Sequence, residues 1–427
     1  MTSWKARGLS IGLLAGACAG LLDLSSALNA APAFADNSDA DVALILGHAL
    51  LATPDQSYID QVMNTYIDPT PPYFPGQPVY DDITSALGVT TPETDYTTGL
   101  TTGVTDLDQA ISQQLGDGND PVVFGYSMST SIETQEMINL DNLGASAPSP
   151  DDLSFILAED LNNPDGGIFE RFPGMFGVDL PATPANTPYT TDIYTIEYSG
   201  ASDFPQYYGD FWADANAADG YIDLHPYLLP DWPAYFTPSE LSGAVLDPNV
   251  SLADVATNYY TIPTQDLPLL DGLRGTPGAE SSYADMIQPD MRVLVDLGYN
   301  WTGDADVSTP ATMTAPDIDT TAVDAYLAAG ADQGMIASLV DDGILPQSDL
   351  AGLSDLYPYV PDVSDLDAGA LSNDTLAQTD ATESANLLAS DLAASSSPLA
   401  SELSAYLPGA ATDMADFFQN SLGFLFF

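Results

Sequence analysis

Asp120-Pro121-Val122-Val123-Phe124-Gly125-Tyr126-Ser127-Met128-Ser129-Thr130-Ser131 joins an apolar run that stops at Gly125 to a helical pattern that opens at Ser127. The reading is strand, sharp turn, helix. Such a turn lifts a serine hydroxyl above the sheet edge, and small residues two before and two after it let strand and helix pass closely. Gly125 and Ser129 meet that steric demand, and Ser127 is the candidate nucleophile. The helix, read as Ser127 to Leu143, brings its N-terminal amides beside the serine and makes the Met128 amide a candidate oxyanion donor. Gly8-Leu9-Ser10-Ile11-Gly12 fits the same pentapeptide better, yet no strand precedes it, so context selects Ser127.

Upstream, Val42 to Leu46 reads as a buried parallel strand ending at Gly47-His48-Ala49, where an open α/β sheet binds ligands. Gly47, His48 and Ala49 are therefore candidates for the second oxyanion amide. The Thr53 to Thr98 segment reads as loop with short strands near Val79 and Val89. Val104, Leu107, Ile111 and Leu115 recur at helical spacing. Downstream, Leu153 to Leu157 and Ile193 to Tyr198 read as further strands, and Met286 to Gly298 as a closing helix. The alternation gives a doubly wound, mostly parallel α/β-hydrolase-like domain over residues 36–301.

Between Phe204 and Phe236 ten aromatic residues fall among prolines, with no long helical period. Phe204, Tyr207, Phe211, Trp212, Tyr227 and Trp232 are candidates for an acyl pocket. The competing reading is a packed excursion over the core.

Lys5, Arg7, an apolar stretch from Leu9 to Leu22 and Ala33-Phe34-Ala35 follow the order of a secretory signal, with cleavage expected after Ala35. An uncleaved anchor and lipidation at Cys18 are weaker alternatives. Beyond the signal, Arg171, Arg274 and Arg292 are the only basic side chains in a chain of formal charge −57. Nucleic acid and anionic headgroups are repelled by such a surface. With no cysteine but Cys18 and only two histidines, zinc is set aside, and no loop has calcium-ligand spacing. No metal or other cofactor is expected.

Residues 302–427 read as a separate acidic, Ala/Asp/Ser-rich, helical or partly disordered region, with helical patterns near Ala322 to Val340 and Thr375 to Leu407. Its terminal Phe417-Phe418 and Leu422 to Phe427 are open to docking on the core, contact with envelope lipid, or recognition by a partner; the run is too short to span a bilayer.

A serine hydroxyl needs a base within hydrogen-bond reach. His225, in Ile222-Asp223-Leu224-His225-Pro226-Tyr227, comes after the serine, as the order Ser, acid, His requires. The orienting acid is harder to select. Asp203 is favoured because it follows the Ile193 to Tyr198 strand and its turn, while Asp210, Asp214, Asp219 and Asp223 remain competitors.

Several blocks together resemble the mycobacterial PE-PPE domain family. They are Gly125 to Ser129, Asn163-Pro164-Asp165-Gly166-Gly167 with Arg171-Phe172-Pro173, Glu197 to Pro205, Thr257 to Gln265 with Leu267 to Leu270, and Asp296-Leu297-Gly298-Tyr299. The resemblance covers roughly Ala43 to Trp301. It implies an α/β serine hydrolase related to cutinases and lipases, with the triad falling on Ser127, Asp203 and His225. Two departures stand out: Gly47-His48-Ala49-Leu50 replaces the family's small-residue loop, and Ser199 stands where an aspartate usually follows the tyrosine. A signal peptide is expected where PE or PPE modules otherwise stand.

The expectation is a secreted or envelope serine esterase acting on acyl esters. Relatives of that signal-bearing kind are similar to acyltransferases that build acylated trehalose lipids, so transfer between glycolipids is the alternative. A non-catalytic envelope binding or structural protein is the third reading. Oligomeric state is left open.

Overall fold

Runs such as Val42-Ala43-Leu44-Ile45 and Pro121-Val122-Val123-Phe124 are apolar at every position, the pattern of strands covered on both faces. In the computed structural model, which describes residues 40–174, 177–227, 238–252, 256–274, 282–301, 303–314, 320–341 and 343–346, they form adjacent interior strands of one sheet. Its strands are β1 (Val42–Ile45), β2 (Ser85–Gly88), β3 (Pro121–Tyr126), β4 (Ser154–Ala158), β5 (Thr190–Ile196), β6 (Val245–Leu246) and β7 (Thr257–Ile262). Their order is β2-β1-β3-β4-β5-β7-β6, all parallel except the short edge strand β6.

Helices cover both faces, and the short helices α4 (Ile168–Arg171), α6 (Pro238–Ser242) and α7 (Asp271–Arg274) stand between the longer ones in chain order. On one face α2 (Thr98–Asp117) and α3 (Met128–Leu143) set Leu107, Ile111, Ile132 and Leu140 against Leu44, Val123, Phe155 and Ile193. On the other, α1 (Gln56–Val62), α5 (Phe211–Asp223) and α8 (Ser282–Asp296) pack Val62, Phe211, Ala213 and Val295 on Ile45, Phe124, Ile156 and Tyr194. The fold is α/β-hydrolase-like. Leaving β1 the chain moves outward to β2, then returns to place β3 on β1's other side. This reversal opens a crevice at the C-terminal ends of β1 and β3, where such sheets bind ligands.

Three expectations are corrected. No strand forms near Val79; the strand of that segment is β2, just before Val89. The Phe204 to Phe236 stretch contains helix α5, whose buried face is built largely from Ala213, Ala215, Ala217 and Ala218 and so shows no bulky apolar period. It begins at Asp210, whose carboxylate accepts the Trp212 and Ala213 amides. The third correction concerns Trp301, placed at the domain's end by the sequence reading. Ordered contacts continue beyond it: Asp306 accepts both the amide and hydroxyl of Ser251, the Arg171 guanidinium donates to the Thr309 carbonyl at 2.6 Å, and the Ala311 and Thr312 amides donate to the carbonyls of Arg171 and Gln206. A final helix, α9 (Thr320–Asp341), lies close on α8, with Gly334 so near that an added Cβ would stand 1.8 Å from the Met286 carbonyl oxygen. The proposed signal, the Thr375 to Leu407 pattern and the terminal phenylalanines fall outside the described residues.

Candidate active site

Ser127 sits between the last residue of β3 and the first of α3 with φ 58° and ψ −119°. A non-glycine residue in such backbone carries strain and needs neighbours that hold it there. Here the Ser127 amide donates to the Ala158 carbonyl at 3.1 Å, and the Thr130 hydroxyl donates to the Ser127 carbonyl at 2.6 Å. Ser129 closes the turn: its hydroxyl accepts the Tyr126 amide at 2.8 Å and donates to the Tyr126 carbonyl at 3.1 Å. Gly125 keeps the turn tight: a Cβ there would stand 2.5 Å from Glu133 Oε1 and 3.1 Å from Ser129 Oγ, so the Glu133 side chain would have to shift.

The Ser127 Oγ lies 2.8 Å from His225 Nε2. His225 opens the short turn 225–227 after α5, buried, with Tyr221 stacked on its ring at 5.3 Å and 16°. The Tyr126 hydroxyl donates to the His225 carbonyl, tying the histidine turn to the end of β3. On the far side of the imidazole, Nδ1 stands 3.0 Å from Glu159 Oε2.

Glu159, not Asp203, is thus the carboxylate on His225. The β3–β4 register pairs Tyr126 with Ala158, so the residue after each strand, Ser127 and Glu159, meets the other at the sheet's edge. Glu159 is completely buried, with φ 53°, and its Oε1 accepts the Ile196 amide at 2.7 Å and the Ser202 hydroxyl at 2.8 Å. Ser199, where the family resemblance leads one to expect an aspartate, bonds Ser202 through its hydroxyl at 3.0 Å and so stands behind Glu159. Asp203 instead closes its own turn, accepting the Tyr198 amide at 2.7 Å, and burial pushes its carboxyl up to about 7. Of the other candidate acids, Asp210 and Asp214 serve the start of α5, Asp214 by accepting the Gly209 amide.

The first residue of α3 is Met128, whose amide sits at the helix N-terminus beside Ser127. Across the crevice, the Leu50 amide donates to the Glu93 carbonyl and the Leu51 amide to the His48 carbonyl; the candidate donors Gly47, His48 and Ala49 lie in the loop just before them. Gly47 must be glycine because a Cβ would meet the Leu51 carbonyl oxygen at 1.9 Å as the loop folds back. The His48 ring lies edge-on to Tyr126 at 5.6 Å, its Nδ1 2.8 Å from the Ala49 carbonyl oxygen, and burial holds its pKa below the ordinary histidine value.

The aromatic candidates divide. Phe204 packs with Leu161, Phe169 and Ala217, and Phe211 and Trp212 join the main core, so these three fill the interior rather than line a cleft. Tyr207 is half-buried, Tyr227 belongs to the histidine turn, and Trp232 lies outside the described residues. No group of three or more His, Cys, Asp or Glu side chains arranged to hold a metal ion occurs among the described residues.

Fold and site together define an α/β-hydrolase-like protein with a serine, a histidine and a carboxylate hydrogen-bonded in series at the switch point. The chain belongs to the PE-PPE domain family, whose model matches residues 77–300. It is 43% identical over 266 residues to PE family protein PE3 of Mycobacterium tuberculosis, covering 61% of this chain and 54% of that protein. It is 36% identical over 315 residues to Esterase PE16 of the same organism, covering 71% and 58%. Diacyltrehalose acyltransferase Chp2, also from M. tuberculosis, is 29% identical over 214 residues, covering 47% and 56%. The chain thus spans a little over half the length of these relatives. No solved structure matches it.

Proposed function

We propose that this chain is a serine esterase that works through an acyl-enzyme on Ser127. The observation that carries the reading is the unbroken series Ser127 Oγ, His225 Nε2, His225 Nδ1, Glu159 Oε2 at 2.8 and 3.0 Å. His225 takes the hydroxyl proton as Ser127 Oγ attacks the ester carbonyl, and returns it to the departing alcohol. Glu159 fixes the tautomer with Nε2 free to accept and stabilises the imidazolium. The Met128 amide and one amide of Gly47 to Ala49 receive the oxyanion. A second nucleophile, activated by the same histidine, then resolves the acyl-enzyme. Purified protein is expected to release p-nitrophenol from short and medium acyl esters, and Ser127→Ala to lose that activity. Full turnover by the alanine variant would refute the assignment.

A relative named for esterase activity supports water as the second nucleophile, and one named a diacyltrehalose acyltransferase supports a sugar hydroxyl. Incubation with an acylated trehalose, following free fatty acid and more highly acylated product together, separates the two. Fatty acid alone in the presence of abundant acceptor leaves hydrolysis standing. We further propose, from the order of charged, apolar and small residues before Asp36, that the protein acts outside the cytoplasm on envelope lipid esters. Processing is checked by the N-terminal sequence of protein recovered from culture medium and envelope fractions.

A further inference from the structure

Three polar side chains are buried behind the crevice with atoms that meet no partner in the protein. Glu133, on α3, is completely buried, and neither of its carboxyl oxygens is hydrogen-bonded. Glu93 is buried too, its backbone held at φ 47°; its Oε1 accepts the Thr91 hydroxyl and its Oε2 is unpaired. The hydroxyl of Tyr58, on α1, is likewise buried and unpaired. Each of these atoms has given up its hydration for no bond within the chain, and such atoms are rare enough in folded proteins to need a reason.

The fold brings the three together. Glu133 backs the strand that ends at Ser127, its carboxyl lying where a Cβ on Gly125 would have to go. Thr91 and Ile132, close in sequence to Glu93 and Glu133, meet over α2: a Cβ on Gly103 would stand 3.7 Å from Thr91 Cβ and 2.4 Å from Ile132 Cδ1. The Glu93 carbonyl accepts the Leu50 amide and the Ala52 carbonyl accepts the Thr91 amide, each at 3.0 Å, joining the exit of β2 to the loop after β1. Tyr58 sets its ring 6.0 Å from that of His48 in the same loop. Electrostatics agrees with this placement. Burial raises the Tyr58 hydroxyl, and the charges of Glu93 and then Glu133 raise it further; burial likewise raises Glu133, with Asp160 and then Glu93 adding to it.

We propose that Tyr58, Glu93 and Glu133 enclose a bound water that ties the loop at 47–51 to the helix carrying Ser127, so that Glu133 is a positioning residue for the oxyanion amides. The inference rests on the esterase reading for its purpose but not for its test. A buried water typically makes about three hydrogen bonds to groups that would otherwise have none, and these three side chains supply that number. Water also suits their chemistry. Burial pushes Glu93 up to about 7 and holds Glu133 well above the ordinary carboxylate value, so the acids offer a water both donors and acceptors, and they resist the ionised form that a cation would need.

The full chain is compared with Glu133→Leu, Glu133→Gln and Tyr58→Phe by hydrogen exchange read on peptides. Leucine offers the water nothing, glutamine keeps a donor and an acceptor, and phenylalanine removes one partner while leaving the ring on His48. Exchange of the Leu50 and Leu51 amides is expected to quicken by about ten-fold or more in Glu133→Leu and by less in Tyr58→Phe, while α2 exchanges as in the parent. Glu133→Gln is expected to stay near the parent. On p-nitrophenyl esters, kcat should fall by about ten-fold in Glu133→Leu with KM within about two-fold, and should recover in Glu133→Gln. The proposal is overturned if Glu133→Leu and Tyr58→Phe both exchange as the parent does, if α2 quickens equally, or if Glu133→Gln behaves as Glu133→Leu. It is also overturned if a parent that turns over esters keeps its kcat in Glu133→Leu. Should Glu133→Leu not fold, Tyr58→Phe decides alone. Hydrogen exchange needs no turnover, so failure of the water site and failure of the esterase proposal are read separately.

Discussion

Strained backbone at Ser127 and Glu159 places two side chains from adjacent parallel strands on either side of one imidazole. Positive-φ non-glycine residues cost on the order of 1–3 kcal/mol each, and they persist where surrounding bonds over-determine them. Ser129 supplies two such bonds to Tyr126. Ser129→Ala should therefore cost ~1–2 kcal/mol in stability while leaving the ester activity largely in place, measured by thermal melting beside turnover. The two carboxylates near the site separate more sharply. Glu159→Gln replaces an acceptor for His225 Nδ1–H by an amide that can favour the wrong tautomer, and kcat should fall by roughly 10³–10⁴. Asp203→Asn keeps an oxygen that can accept the Tyr198 amide, and its kcat should stay within roughly ten-fold of the parent; equal losses in the two variants would remove Glu159 from the orienting role. The serine was legible because a strand, a glycine and a helix start surround it, and the histidine because the chain has only two. The acid was not, because the register that brings Glu159 to Ser127 is a property of paired strands. One signal was present in the sequence: Glu159 follows the apolar Leu153 to Leu157 strand closely, as Ser127 follows its own strand.

Elements with bulky apolar periodicity were readable, and those built from small residues were not. The strands β1 and β3 and the helix α2 announce themselves by Val, Leu and Ile; α5 hides its inward face in alanines, and β7, Thr257–Ile262, mixes Thr, Asn and Tyr. Small residues govern the junction of α8 and α9 as well. Gly330 and Gly334 lie four apart on α9, with added Cβ atoms 2.4 Å from Asp290 Oδ1 and 1.8 Å from the Met286 carbonyl oxygen. Gly334→Leu must push α9 off α8, because the atom it meets is backbone and cannot rotate away. Limited proteolysis should then cut within residues 320–341 far sooner than in the parent, while ester turnover is retained. Unchanged protease resistance would show that the two helices do not depend on this close approach.

Across the whole molecule, acid dominates inside as well as outside. Burial pushes Glu93, Asp203 and Asp214 up to about 7 and Asp160 and Asp192 to about 6, and it raises Glu133 well above the ordinary carboxylate value. In the unfolded chain the same groups ionise near pH 4, so from about pH 4 upward the folded state holds more protons than the unfolded one. Stability contributed by these protons is complete below about pH 4 and is lost as pH rises through about 6 to 7. The melting temperature should therefore fall steadily from about pH 5 to about pH 8; a rise across that interval would contradict the assignment of these carboxyls as protonated. Layer architecture, mostly parallel sheet and family were legible from ordered blocks of sequence, whereas the continuation of packed chain past Trp301 was not, since its contacts are made by Thr309, Ala311 and Thr312 from irregular backbone. The central claim, that Ser127 is an activated nucleophile served by His225 and Glu159, is tested most directly by intact-mass and peptide analysis of the folded chain after brief exposure to a fluorophosphonate. One adduct per chain on the peptide containing Ser127, absent in Ser127→Ala and slow to form in Glu159→Gln, is the predicted result. Folded protein that takes up no adduct, or takes it up at another residue, would contradict the account.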